Sequence, residues 1–231
     1  MATVSRHADL AEHGATPEAR ERASILLDLL TPVAKTFPAE RGFEANALAI
    51  QILGGYGYTS EYLPESYMRD QKLNTLHEGT SGIQSMDLLG RKVMAKSGAS
   101  LRALAEEIGA TIGRAREAGV EGELCDALEA AVATVGSITM ELGQRGMSGD
   151  AGAMLGHSWD YLDMFSTLVI GWQWLHMAAA AQSATMREER KRGVEAATRY
   201  WIRTEVPRVA ILADLCRSNE SSYIEAQPNW F

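Results

Sequence analysis

Apolar residues recur at three- and four-residue intervals along almost the whole chain, and no stretch alternates apolar with polar positions for long. That period predicts helices throughout and an all-α fold. Thr16-Pro17-Glu18 starts one, with threonine as cap and proline at the first helical position. It runs through Ile25, Leu26, Leu29 and Leu30. Pro32 reads as a kink and Pro38 as a stop, because proline lacks the N–H and its ring crowds the preceding turn. A second helix over residues 39–53 puts Phe43, Ala47, Ile50 and Leu53 on one face. Gly54-Gly55-Tyr56-Gly57 ends it, since glycine supplies the left-handed conformation of a helix exit. Pro64 opens a third helix carrying Tyr67, Met68 and Leu73, which ends near Glu78-Gly79. Thr80 then caps a fourth, with Ile83, Met86 and Leu89 recurring inward.

The texture changes after Lys96-Ser97-Gly98. Leu101, Leu104, Ile108 and Ile112 mark one amphipathic helix; Leu124, Leu128, Val132, Val135 and Leu142 mark the next. A polar loop over residues 144–150 leads into a long helix over 151–184, and further helices follow over 188–204 and 207–217. The tail is polar until Trp230-Phe231 and is expected to lie over the surface. These breaks set a boundary at residues 97–100 and three units: a flexible N-terminus (1–15), a helical domain (16–98) and an additional C-terminal helical domain (99–231). No internal repeat at a fixed period is visible.

Composition narrows the function classes. The 231 residues are 46% hydrophobic and 23% charged, ordinary for a folded globular chain. A formal net charge of -8 and the absence of a basic block argue against nucleic acid as a partner. The basic run over 187–192 is interrupted by Glu188 and Glu189 and reads as a solvated helix face. Residues 164–181 carry no charge, but Ser166, Thr167, Gln173, His176 and the run of alanines point to a helix buried in a bundle rather than a membrane span. The polar first residues do not read as a secretory signal. Cys125 and Cys216 lack metal-ligand spacing and read as ordinary thiols of a reducing cytoplasm. His157 and His176 read as core or interface histidines, and Trp159, Trp172 and Trp174 as packing residues. Asp160 and Asp163 have hydrogen bonds within reach, and nothing argues for a metal.

The informative string is Gln51-Ile52-Leu53-Gly54-Gly55-Tyr56-Gly57-Tyr58-Thr59-Ser60-Glu61-Tyr62, then Arg69-Asp70, then His77-Glu78-Gly79-Thr80-Ser81-Gly82-Ile83-Gln84. Each piece alone admits a structural explanation: a helix exit for the glycines, a solvated carboxylate for Glu78. In this order and spacing they resemble the C-terminal helical domain of flavin-dependent acyl-CoA dehydrogenases, over residues 20–96 and most strongly over 51–84. The resemblance implies Glu78 as the catalytic base, Thr80 as a contact to FAD, and Gln51, Gly54 and Gly55 at the adenosine end of an FAD held mainly by a neighbouring subunit. That family oxidises acyl-CoA thioesters: a carboxylate takes the α proton while a hydride leaves the β carbon. The carbon acid is weak, so its base has to be desolvated and held close. Gly79, without a Cβ, leaves room beside it.

His77 stands where many members have tyrosine, Gly82 where many have Glu or Gln, and Arg91 sits one position late for the arginine that follows the motif. The segment 76–92 is similar to the larger members that carry an extra C-terminal helical domain, including methylthiopropanoyl-CoA dehydrogenases. Residues 99–217, with Gly171-Trp172-Gln173-Trp174, resemble that addition. The resemblance further implies a role in fatty acid metabolism, an electron-transfer flavoprotein or similar acceptor, and a homo-oligomer or second chain supplying the N-terminal and β-domains. Without those domains, the helix over residues 10–30 is expected to expose an apolar face. The competing expectation is a non-catalytic helical assembly subunit that retains the motif.

Overall fold

The computed structural model describes residues 1–183 and 185–230. Its organising element is α2, Pro17–Leu53, which begins where the cap signal places it: the Thr16 hydroxyl accepts from the Ala19 N–H at 3.1 Å. Pro38 does not stop it, and the two helices expected on either side of that proline are one. A proline removes a single hydrogen bond from the ladder, and neighbouring elements make up the loss. The Asp28 carbonyl, four residues before Pro32, accepts from the Lys92 ammonium at 2.8 Å. Beside Pro38 the Gln71 amide donates to the Pro38 and Ala39 carbonyls at 3.2 and 3.1 Å and ties α3 to this turn of α2, though these are not the carbonyls the proline leaves without a donor.

The N-terminal residues, expected to be flexible, form α1, Ala2–His13, which buries His7 and packs along α2. Arg20 reaches back to the Gly14 carbonyl at 2.8 Å and fixes the turn between them. Leu26, Leu29, Leu30 and Val33 of α2 are buried in the core. The apolar face expected to be open along residues 10–30 is therefore closed, because α5 (Ala95–Glu117), α8 (Ser158–Ser183) and α1 all pack on α2.

Past α2 come a 3-10 turn, Gly54–Tyr58, then α3, Leu63–Leu73, and α4, Ser81–Asp87. A π turn, Leu88–Lys92, follows, and the chain then reverses through left-handed Lys96, Ser97 and Gly98 inside α5. Ser100 ties this reversal down by donating to the Lys92 carbonyl at 2.8 Å. Next are α6, Gly122–Met147, and α7, Ala151–Leu155. The long helix expected from 151 is interrupted at Gly156-His157: α7 packs against α6 and the π turn, while α8 turns into the core. Its expected end at Ala184 lies outside the described residues. The chain finishes with α9, Glu188–Tyr200, a second π turn, Trp201–Glu205, then α10, Arg208–Ser218, and the short α11, Ser222–Glu225. Trp230 is exposed, and Phe231 is outside the described residues.

Helix α8 is apolar on nearly every side because α2, α4, α5, α6, α9 and α10 all pack against it. Its two buried polar rings find partners: the Tyr161 hydroxyl meets that of Thr139 at 2.6 Å, and the Trp172 N–H donates to Thr111 at 2.8 Å. One core runs from Leu26 to Cys216, across the reversal at residues 96–98. Burial pushes the Cys216 thiol up to about 12, so both buried cysteines are inert. No strand and no cluster of metal-binding side chains occurs among the described residues. No helix among them is long and apolar enough to cross a membrane.

Candidate active site

The third helix stops at Leu73, not near Glu78 as the pattern suggested, and a series of turns carries the chain to His77. Glu78 follows with φ of 56°, then Gly79 with φ of 86°. Left-handed backbone is ordinary for glycine and unfavourable by about 1–2 kcal/mol for glutamate, so the surroundings have to hold it. They do so from three directions. The Gln84 amide donates to the Glu78 carbonyl at 2.9 Å. The Lys35 ammonium donates to the Gly79 carbonyl at 2.6 Å. The Ser81 hydroxyl donates to the Glu40 carboxylate. Thr80 then caps α4 by accepting from the Ile83 N–H at 3.4 Å.

Glu78 is exposed, and Gly79 beside it is only half-covered. The desolvation that a base for a weak carbon acid needs is thus not supplied by this chain's own packing. Two other carboxylates precede it. Glu65 is ion-paired with Arg69 at 2.7 Å, which ties up the lone pair a base would use, and Glu61 lies open on the surface. Lys35 and Glu40 lacked any signal in the sequence. Each is one polar residue in an ordinary helical stretch, and only the packing of α2 against the loop shows what it does.

Gln51, Gly54 and Gly55 are all exposed at the far end of α2. Gly54 has φ of 60° and turns the helix out into the 3-10 segment. No heavy atom lies within 4 Å of a Cβ built on Gly54 or Gly55, so this backbone is open to close approach. The same helix that carries Gln51 carries Lys35 sixteen residues earlier, about 24 Å along its axis. The structure thus joins Glu78 and Thr80 in one loop and sets Gln51, Gly54 and Gly55 apart from them.

Around this end the surface is unusually apolar. Leu48, Ile52, Tyr56, Tyr58, Leu63 and Leu73 are exposed, Ile52 by 84% and Tyr58 by 85%. A recess of 1060 Å³ lies here, lined among others by Phe43, Ile50, Met68 and Leu76. Among the other residues singled out, His157 bonds Asp160 at 2.9 Å and Asp163 pairs with Arg208 at 2.7 Å. His176 lies on the surface rather than in the core, as does nearly half of Trp159, while Trp172 is buried. Arg91 pairs with Asp87 at 2.7 Å and so is occupied structurally.

Residues 2–94 match the family described as acyl-CoA dehydrogenase, C-terminal domain, and residues 104–227 match acetyl-CoA dehydrogenase C-terminal like. The chain belongs to the acyl-CoA dehydrogenase family. It is 35% identical over 183 residues to 3-methylmercaptopropionyl-CoA dehydrogenase of Ruegeria pomeroyi, which covers 77% of this chain and 30% of that protein. A butyryl-CoA dehydrogenase of Syntrophomonas wolfei is 41% identical over 101 residues, 44% of this chain and 17% of its own length. The chain thus spans less than a third of the curated relatives it matches. The crystal structure of Caenorhabditis elegans ACDH-11 in complex with C11-CoA has the same fold, with a TM-score of 0.66 at 19% identity over 88% of this chain and 33% of that one.

Proposed function

We propose that this chain is the catalytic-base-bearing C-terminal part of an FAD-dependent acyl-CoA dehydrogenase, with Glu78 taking the α proton of an acyl-CoA thioester. The observation that carries the proposal is the left-handed, exposed Glu78 backed by Gly79. The conformation is held by Gln84 on the Glu78 carbonyl, and Lys35 holds the next carbonyl. Gly79 keeps the approach free of a side chain. The loop end also suits FAD: the Thr80 hydroxyl accepts from Ile83 through oxygen and keeps its own hydrogen to donate outward. Bound flavin supplies the acceptor for the hydride leaving the β carbon. Gln51, Gly54 and Gly55 offer an exposed amide and bare backbone to the adenosine end of a second FAD, held by a neighbouring subunit. Their distance of about 24 Å along α2 from Lys35 fits contact with a different cofactor from the one at Glu78.

The exposed Glu78 and the apolar surface around Ile52 and Tyr58 both await cover, which the N-terminal and β-domains of a homo-oligomer or companion chain would supply. Exclusion of water then raises the affinity of Glu78 for a proton. The assembly would work in the cytoplasm, in fatty acid metabolism, and deliver its electrons to an electron-transfer flavoprotein or a similar acceptor. The test is Glu78→Gln in the assembled enzyme. Turnover falls about 100- to 10,000-fold with flavin and substrate binding retained. If Glu78→Gln turns over normally while Glu61→Gln or Glu65→Gln does not, the base lies elsewhere. If no assembly acts on any acyl-CoA, the non-catalytic subunit becomes the better reading.

A further inference from the structure

The clamp on the Glu78 loop is built unequally. Gln84 and Ser81 belong to the loop's own neighbourhood, within a few residues of Glu78, and move with it. Lys35 comes from α2, forty-four residues away, and is the charged donor: its ammonium meets the Gly79 carbonyl at 2.6 Å, within the range of charge-assisted bonds. The carbonyl it holds belongs to the peptide linking Gly79 to Thr80. In a trans peptide the C=O and the following N–H point in opposite directions. Anchoring the Gly79 oxygen on α2 therefore aims the Thr80 N–H away from α2, out of the bundle and toward the exposed side of the loop.

This peptide is the one place where the loop turns over easily. Glycine has no Cβ to restrict ψ, so the Gly79–Thr80 peptide, which turns about ψ of Gly79 and φ of Thr80, flips unless something holds it. A flip carries the Thr80 N–H inward and removes the bond that ties the loop beside Glu78 to α2. With that anchor gone the loop shifts relative to α2 and the Glu78 carboxylate is displaced with it. Lys35 makes no other hydrogen bond among the described residues, and the first half of α2 is buried against α1, α5 and α8. Its ammonium is thus referred to the rigid part of the molecule.

We infer that Lys35 is a positioning residue for this site: by fixing the Gly79–Thr80 peptide plane it anchors the loop beside Glu78 to α2 and turns the Thr80 N–H outward as a donor to the bound cofactor. The orientation claim stands on the geometry alone; its importance for turnover rests on the function proposed above.

The experiment has two arms. In the isotopically labelled full chain, residual dipolar couplings read the orientation of the Glu78 and Thr80 N–H bonds. Lys35→Met, which keeps the length and removes the donor, reorients the Thr80 N–H, while that of Glu78 serves as the internal reference. Lys35→Arg keeps the native orientation, and Lys35→Gln repeats the comparison should the methionine variant fold poorly. In the assembled enzyme, Lys35→Met lowers kcat about 10- to 100-fold, the range expected for misplacement without loss of a reacting group, with KM within about threefold. Lys35→Arg restores most of it, which a loss of general stability would not predict. Unchanged couplings in Lys35→Met overturn the inference whatever Glu78→Gln does. Changed couplings with unchanged kcat overturn the positioning role. Normal turnover in Glu78→Gln sinks the base assignment and leaves the peptide clamp to be judged on the couplings.

Discussion

The two halves of α2 contain similar residues and meet opposite fates. Leu26, Leu29, Leu30 and Val33 on the first half are buried, because α1, α5 and α8 close over them. Leu48 and Ile52 on the second half stand in solvent, covered only in part by the 3-10 turn and α3. One helix thus has a face stabilised by its own chain and a face that its own chain leaves open. The residues assigned to chemistry follow the same division. The clamp from Lys35 sits where α2 is anchored, while Gln51, Gly54 and Gly55 sit where it is bare. A large apolar side chain left in water is a statement about a partner, whereas a buried one is a statement about the fold.

Truncation of the anchored half has the largest effect on stability. Leu29 is 0% exposed, and Leu29→Ala is expected to cost about 2–5 kcal/mol, the lost transfer energy plus the cavity left behind. Urea unfolding measures it, and a cost near zero would mean that the first half of α2 is not locked into the core.

The next effect is electrostatic and tests how the anchored half is tied to the active-site helix. Lys92, its side chain 6% exposed, reaches Asp28 of α2 at 3.1 Å and Asp87 of α4 at 3.4 Å. Lys92→Met should lose about 1.5–3 kcal/mol, the range for a hydrogen bond to a charged group. The hydrogen bond from Arg91, with Lys92 adding its charge, holds the Asp87 carboxyl below the ordinary carboxylate range. A depressed value in the folded state means that the stabilisation is complete above the unfolded value, about 3.9, and is lost as pH falls through the lower folded value. Asp87→Asn should therefore flatten the acid limb of the stability curve below about pH 4 and leave its shape at neutral pH unchanged. A limb as steep as in the parent chain would assign acid unfolding to other carboxylates.

The smallest effect on stability falls on the bare half and carries the most information. Ile52→Ser and Tyr58→Ser should change the unfolding free energy of the chain by no more than about 0.5 kcal/mol, because neither side chain is buried. The same pair should reduce binding of an apolar dye and weaken self-association or union with a companion chain in sedimentation experiments. If either substitution destabilises the isolated chain as Leu29→Ala does, the two halves of α2 do not differ in the way described.

The sequence alone determined the helical class, the Thr16 cap, the glycine exit at Gly54 and the string from Gln51 to Gln84, because period, capping chemistry and glycine conformation are local properties of the chain. It also singled out Glu78 and Thr80 as candidates, since the resemblance lies in contiguous residues. It could not show that α2 runs through Pro32 and Pro38, because the bonds that brace the helix at these turns come from Lys92 and Gln71, distant in sequence. Nor could it distinguish the buried first half of α2 from the exposed second half: an apolar helix face looks the same in sequence whether or not a partner covers it, and which elements reach it is settled by topology. The Lys35 clamp has the same origin. A lysine becomes the support of a left-handed loop only when the fold brings a carbonyl forty-four residues away within reach of its ammonium.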